Sequence, residues 1–69
     1  MKLTINGEER EFGTPLSLSS LLDQLGMKAD RVAVELNRSI VARERWIETH
    51  LAEGDRLEIV HFVGGGKIR

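Results

Sequence analysis

The 69-residue sequence predicts an α+β roll, a mixed sheet of four to five strands packed on one helix. Three observations carry that prediction. Leu18, Leu21, Leu22 and Leu25 fall on one stripe at helical spacing. Segments 2–6, 32–36 and 56–63 alternate at the two-residue period of half-buried strands. Asn6-Gly7 joins the first of these to a charged returning strand over Glu8–Phe12. That dipeptide is a strong hairpin signal, because a type I′ turn needs positive φ at both central positions.

Taken in order, the first strand puts Leu3 and Ile5 on one face, and Gly13-Thr14-Pro15 ends the hairpin. Ser17 is placed to cap the helix N-terminus. Gly26 stands where a left-handed C-terminal cap is wanted. A helix of barely two turns does not persist alone, so its leucines must lie on the sheet. Each fully buried leucine contributes about 1.5–3 kcal/mol. Val32–Leu36 is the third strand, Asn37-Arg38 a turn and Ser39–Val41 a short fourth strand. Arg43-Glu44-Arg45-Trp46 is a charged segment ending in the only tryptophan, and Ile47, Thr49 and Leu51 follow without a clean period. Glu53-Gly54-Asp55 turns the chain into the last strand, Arg56–Val63. There Leu57 and Ile59 share one face, while Glu58, Val60 and Phe62 share the other. His61 has the parity of Leu57 and Ile59, which places it at the edge of the core. The first and last strands are expected side by side at the centre, parallel because the helix crosses over between them.

Length and composition bound the function. A chain this short makes one domain. It buries roughly 60% of its unfolded surface. It has no cysteine, which excludes disulfides, thiolate metal sites and thiol nucleophiles and suits a reducing cytoplasm. A formal charge of −1 gives nucleic-acid binding no electrostatic support. No apolar run approaches the ~20 residues of a membrane span, and Met1–Asn6 reads as a strand rather than a secretion signal. Neither a nucleic-acid nor a membrane partner is expected.

The last strand runs into Gly64-Gly65-Gly66, followed by Lys67-Ile68-Arg69. Glycine loses the most backbone freedom on ordering, so three in succession do not serve stability. They do not make a phosphate loop either, since that needs a helix behind the glycines and three residues are too few. The division expected is a body over residues 1–63 and a flexible tail over 64–69. The tail is a slim peptide without side chains to obstruct passage into a narrow channel. Gly64 to Gly66, extended at about 3.3–3.6 Å per residue, reach roughly 10 Å. Val60 and Phe62, facing away from the helix just before the tail, form a candidate docking patch.

A ββαβ roll ending in a strand and glycines resembles the ubiquitin-like β-grasp fold. Several motifs bring the resemblance closer: Asn6-Gly7, the Leu21-Leu22-x-x-Leu25 helix, Val34-x-Leu36-Asn37, Ile40-Val41 followed by Arg43-x-x-Trp46, Glu53-Gly54-Asp55, and Ile59-Val60-x-Phe62-x-Gly64-Gly65-Gly66. Together they resemble the ThiS family of sulfur carriers in thiamine biosynthesis, over nearly all of residues 1–66. The molybdopterin-synthase small-subunit family, MoaD, shares the fold and the Gly-Gly end in a longer chain.

The resemblance implies a protein co-substrate rather than an enzyme. An E1-like (ThiF-like) enzyme adenylates the C-terminal glycine carboxylate with ATP, sulfur replaces the adenylate, and the thiocarboxylate serves thiazole synthase (ThiG-like). No cofactor is bound by the carrier. Carried onto this sequence, Gly66 is the modified residue and Gly64 and Gly65 thread into the partner's site. Family members end at the glycine, whereas here Lys67, Ile68 and Arg69 follow. A protease removes them, or they are foreign to the natural chain, or the chain is inactive as written. Sulfur delivery to molybdopterin or amino-acid synthesis, and a ubiquitin-like modifier or adaptor, stand as alternatives.

Other residue groups read as structure. His50 and His61 lack acidic partners at metal-ligand spacing. Arg38, Arg43, Arg45 and Arg56 alternate with Glu44, Glu48 and Asp55, the pattern of a solvated surface. Trp46 is a packing anchor.

Overall fold

β1 (Lys2–Ile5) and β2 (Glu8–Glu11) form the predicted hairpin, in register from Lys2↔Glu11 to Ile5↔Glu8. The computed structural model to which they belong describes residues 1–63 and 67–68. At the turn, Asn6 has φ 49° and Gly7 φ 85°, the two positive values a type I′ turn requires. Alternation buries Leu3 and Ile5 under α1 (Leu18–Gln24). The β2 residues are all exposed; the apolar contact on this arm comes from Phe12, half-buried against the core just past the strand.

The Ser17 hydroxyl accepts from the Ser20 N–H at 3.0 Å and caps α1. The helix stops where Gly26, at φ 73°, donates its N–H to the Asp23 carbonyl. Leu18, Leu21 and Leu22 are buried, but Leu25 is only half-buried. The fourth position of the stripe falls on the C-cap, where the helix is already leaving the sheet.

β3 (Val32–Leu36), β4 (Ser39–Ile40) and β5 (Arg56–Val63) complete a sheet of order β2-β1-β5-β3-β4. β5 lies between a parallel neighbour, with Thr4↔Arg56 and Ile5↔Leu57, and an antiparallel one, running from Val32↔His61 to Leu36↔Leu57. The expected central pair is present. β4 ends one residue short of the expectation. The Val41 N–H still donates to the Val34 carbonyl, but the Val41 carbonyl accepts the Trp46 indole N–H at 2.9 Å. Trp46 is 4% exposed in a 3₁₀ segment, Arg43–Glu48. It therefore anchors packing and also sets where β4 stops.

The stretch without period has a definite place. The Leu18 N–H donates to the Thr49 carbonyl and the Leu51 N–H to the Leu16 carbonyl, around a Ser17↔His50 bridge. It fastens the helix start to the chain leaving Trp46. His61 corrects an expectation: it is exposed. Its cross-strand partner Val32 is buried, so the covered part of the inner face ends at this row.

Candidate functional site

Everything converges on β5, the strand that leads to the glycines. Two asparagines in left-handed turns hold it from opposite sides. On the β1 side, the Asn6 side-chain oxygen accepts from the Ile59 N–H at 2.7 Å and its amide donates to the Ile59 carbonyl at 3.2 Å. The side chain thus continues the β1 ladder after that strand has ended. On the β3 side, Asn37, at φ 49°, donates its N–H to the Arg56 carbonyl, and its side-chain oxygen accepts from the Arg56 N–H at 2.9 Å. Its side-chain amide donates to Asp55, whose other oxygen accepts from the Ala52 N–H. A short polar side chain tolerates φ above zero and satisfies strand-edge groups.

β5 divides the sheet into two chemistries. Leu57 and Ile59 are buried against the helix. On the outer face lie Arg56 and Glu58, both exposed, and then Val60 and Phe62, both half-buried. Val60 and Phe62 are therefore on the expected face, but partly covered. The larger apolar exposure there belongs to Ile40, at 79%. Ile40 pairs with Glu35, which pairs with Glu58. Strand pairing puts cross-strand partners on the same face, so Ile40, Glu35 and Glu58 form one row. Ala33 and Val60 form the next row towards the tail. A trough of about 190 Å³ runs between Ala33, Ile40 and Val60, with Glu35 and Glu58 at its border. A second depression, of about 440 Å³, lies on the other side of the acidic row, against Asn37, Arg38 and Arg56. Ile40 and Glu35 were not singled out from sequence. The available signal was an apolar residue two positions past the Asn37-Arg38 turn, where hairpin parity leads to the solvent face.

Gly64, Gly65 and Gly66 lie outside the described residues, as does Arg69. Lys67 and Ile68 form β6, antiparallel to β5, with Val63↔Lys67 and Phe62↔Ile68. Two residues of the expected projecting tail thus run back beside the end of β5. Arg38, Arg43, Arg45 and Arg56 are all exposed, and Arg45 pairs with Glu48 at 3.3 Å. His50 and His61 are exposed as well. Among the described residues no group of three or more His, Cys, Asp or Glu side chains is placed to hold a metal. The arrangement sets a strand hydrogen-bonded on both sides beside an apolar and charged face, with the glycines next in the chain.

A model of the ThiS family matches residues 3–66. The chain is 38% identical to the sulfur carrier protein ThiS of Bacillus subtilis, covering 93% of this chain and 98% of that one. It is 47% identical over 66 residues to the thiazole synthase of Paramagnetospirillum magneticum, covering 96% of this chain and 20% of that protein. This chain therefore spans about a fifth of the length of the thiazole synthases it matches. Among solved structures, the crystal structure of the thiamine biosynthesis protein ThiS from Geobacter metallireducens superposes with a TM-score of 0.83 at 36% identity, covering 96% of this chain and all of that one.

Proposed function

Because this chain belongs to the ThiS family, we propose that it is a sulfur carrier of thiamine biosynthesis whose reacting group is the carboxyl of Gly66. A carboxylate accepts sulfur poorly, because oxide is the leaving group. Attack of the Gly66 carboxylate on ATP, in the site of an E1-like enzyme, releases pyrophosphate and forms an acyl adenylate. Sulfide from the sulfur donor then attacks the acyl carbon and displaces AMP, leaving a thiocarboxylate for thiazole synthase. The partner enzymes supply the acid–base and electrostatic groups for these steps. This chain supplies reach, slimness and a docking face that includes Val60 and Phe62.

The observation that carries the proposal is the fixing of β5 by Asn6 and Asn37, at the centre of the sheet and directly before Gly64. A strand held on both sides gives the glycines a defined origin. The thiazole synthase relatives support the choice of second partner, since a region like this chain is part of those polypeptides. Gly66 is joined to Lys67 in this sequence, so its carboxyl must be released, by a protease acting after Gly66, before it reacts.

The test is a mass measurement. The chain ending at Gly66, incubated with the host's E1-like enzyme, ATP and a sulfur donor, gains about 16 Da as oxygen is exchanged for sulfur. The chain ending at Arg69 gains nothing. The pairing of Lys67 and Ile68 with the end of β5 favours a second reading, an adaptor whose tail stays with the body; no mass change with either chain selects it. Lysine-linked adducts select a modifier. Docking is checked separately: Phe62→Ala raises the Kd for the E1-like enzyme about tenfold, within the range of an aromatic anchor. It shifts the melting temperature little, because Phe62 lies outside the buried core.

A further inference from the structure

The outer face carries a defect in its own stability. Glu35 and Glu58 sit directly opposite each other on β3 and β5. Both are exposed, and among the described residues neither makes an ion pair; those that form are Met1–Glu11 and Arg45–Glu48. Like charges at directly opposed positions destabilise a sheet. Among the described residues none puts this pair to use, since both side chains point away from the core. Beside them lies the apolar trough of Ala33, Ile40 and Val60, and on the other side the basic pair Arg38 and Arg56. Read along β5 away from the glycines, the face is apolar at Phe62 and Val60, acidic at Glu58 and basic at Arg56.

We propose that this order is a docking key: the E1-like enzyme that adenylates the tail sets a basic side chain between Glu35 and Glu58, an apolar one in the trough and an acidic one against Arg38 and Arg56. The inference rests on the carrier reading and specifies its partner's surface. An arginine guanidinium spans two carboxylates with paired hydrogen bonds, and its charge removes the repulsion that the free protein bears. The asymmetry of the pattern fixes direction as well. A partner bound the opposite way round still sets its basic side chain at the acidic row, but its acidic side chain falls in the apolar trough and its apolar one against Arg38 and Arg56, and the unpaired charges reject it. Docking in a single direction is what sends the glycines into the active site.

The experiment exploits an opposition that a merely structural role does not produce. Glu35→Lys turns a repulsive cross-strand pair into an attractive one, so the melting temperature stays level or rises. If the pair is a docking key, the same substitution raises the KM of the E1-like enzyme for the chain ending at Gly66 about tenfold, with kcat unchanged. Glu58→Lys behaves alike, and Arg56→Glu also raises KM. Raising the salt concentration raises the wild-type KM and narrows the difference between wild type and variants. An unchanged KM in both Glu35→Lys and Glu58→Lys, with the wild type loading normally, overturns the key and leaves the carrier intact. A KM that rises only in step with a lost thermal transition also overturns it. Failure of the wild-type chain to load removes the carrier reading and the key together.

Discussion

Replacing Gly65 by valine will lower the rate of sulfur loading on the order of 100-fold or more, the penalty for misplacing a reacting atom by about an ångström. The melting temperature will stay where it is. Valine adds an isopropyl group with a stiff χ1 at the residue next to the proposed reacting carboxyl. A channel that admits bare backbone has no room for them. Among the described residues the buried core is built from residues between Leu3 and Ile59. Gly65→Ala, with a single methyl, will fall between wild type and valine. Loading is followed by intact mass of the chain ending at Gly66, and the fold by the near-ultraviolet circular dichroism of Trp46. A valine variant that loads at the wild-type rate would rule out threading through a narrow channel.

Asn6→Ala will be strongly destabilising for a substitution at an exposed position. It removes two hydrogen bonds to Ile59, each contributing about 0.5–1.5 kcal/mol. It also places a Cβ-bearing residue without a compensating side chain at φ 49°, at a cost of about 1–2 kcal/mol. The sum is about 2–5 kcal/mol, and a domain of this size loses roughly 4–8 °C of melting temperature per kcal/mol. Asn6→Gly separates the contributions, because glycine recovers the backbone part and still loses both side-chain bonds. Glycine should therefore be the milder change by about 1 kcal/mol. Equal melting temperatures for the two variants mean the turn conformation contributes nothing. Two wild-type-like values mean the clamp on β5 is idle.

The helix, the hairpin and the central strand pair were legible because each rests on a local rule. The leucine stripe fixed α1, Asn6-Gly7 fixed the β1–β2 turn, and alternation in β5 separated Leu57 and Ile59 from Val60 and Phe62. What was not legible depends on contacts remote in sequence. Parity assigns His61 a face but does not say that the covered region stops at Val32. The carbonyl of Val41 turns to the Trp46 indole, and no propensity of Val41 announces it. Thr49 to Leu51 show no period because they bond to the chain around Ser17 rather than continuing a strand or helix. The two asparagine turns were visible as turns, whereas their side-chain hold on β5 appears only once β5 lies between them. The outer-face position of Val60 and Phe62 was legible from β5 alone. Glu35 and Ile40 required the cross-strand register.

The parallel contact of β1 with β5 bears on when the protein becomes itself during synthesis. The two strands at the middle of the sheet are the first and the last of the body to be translated, and joining them closes a loop that holds almost everything else. A nascent chain still lacking β5 has only a hairpin on one side and β3–β4 on the other, with the leucines of α1 uncovered between them. Assembly therefore waits until Val63 has cleared the ribosome, and mixed folds with such distant pairings close more slowly than helical bundles. The proposed docking face and the lead into the glycines are completed together, because the same strand builds both.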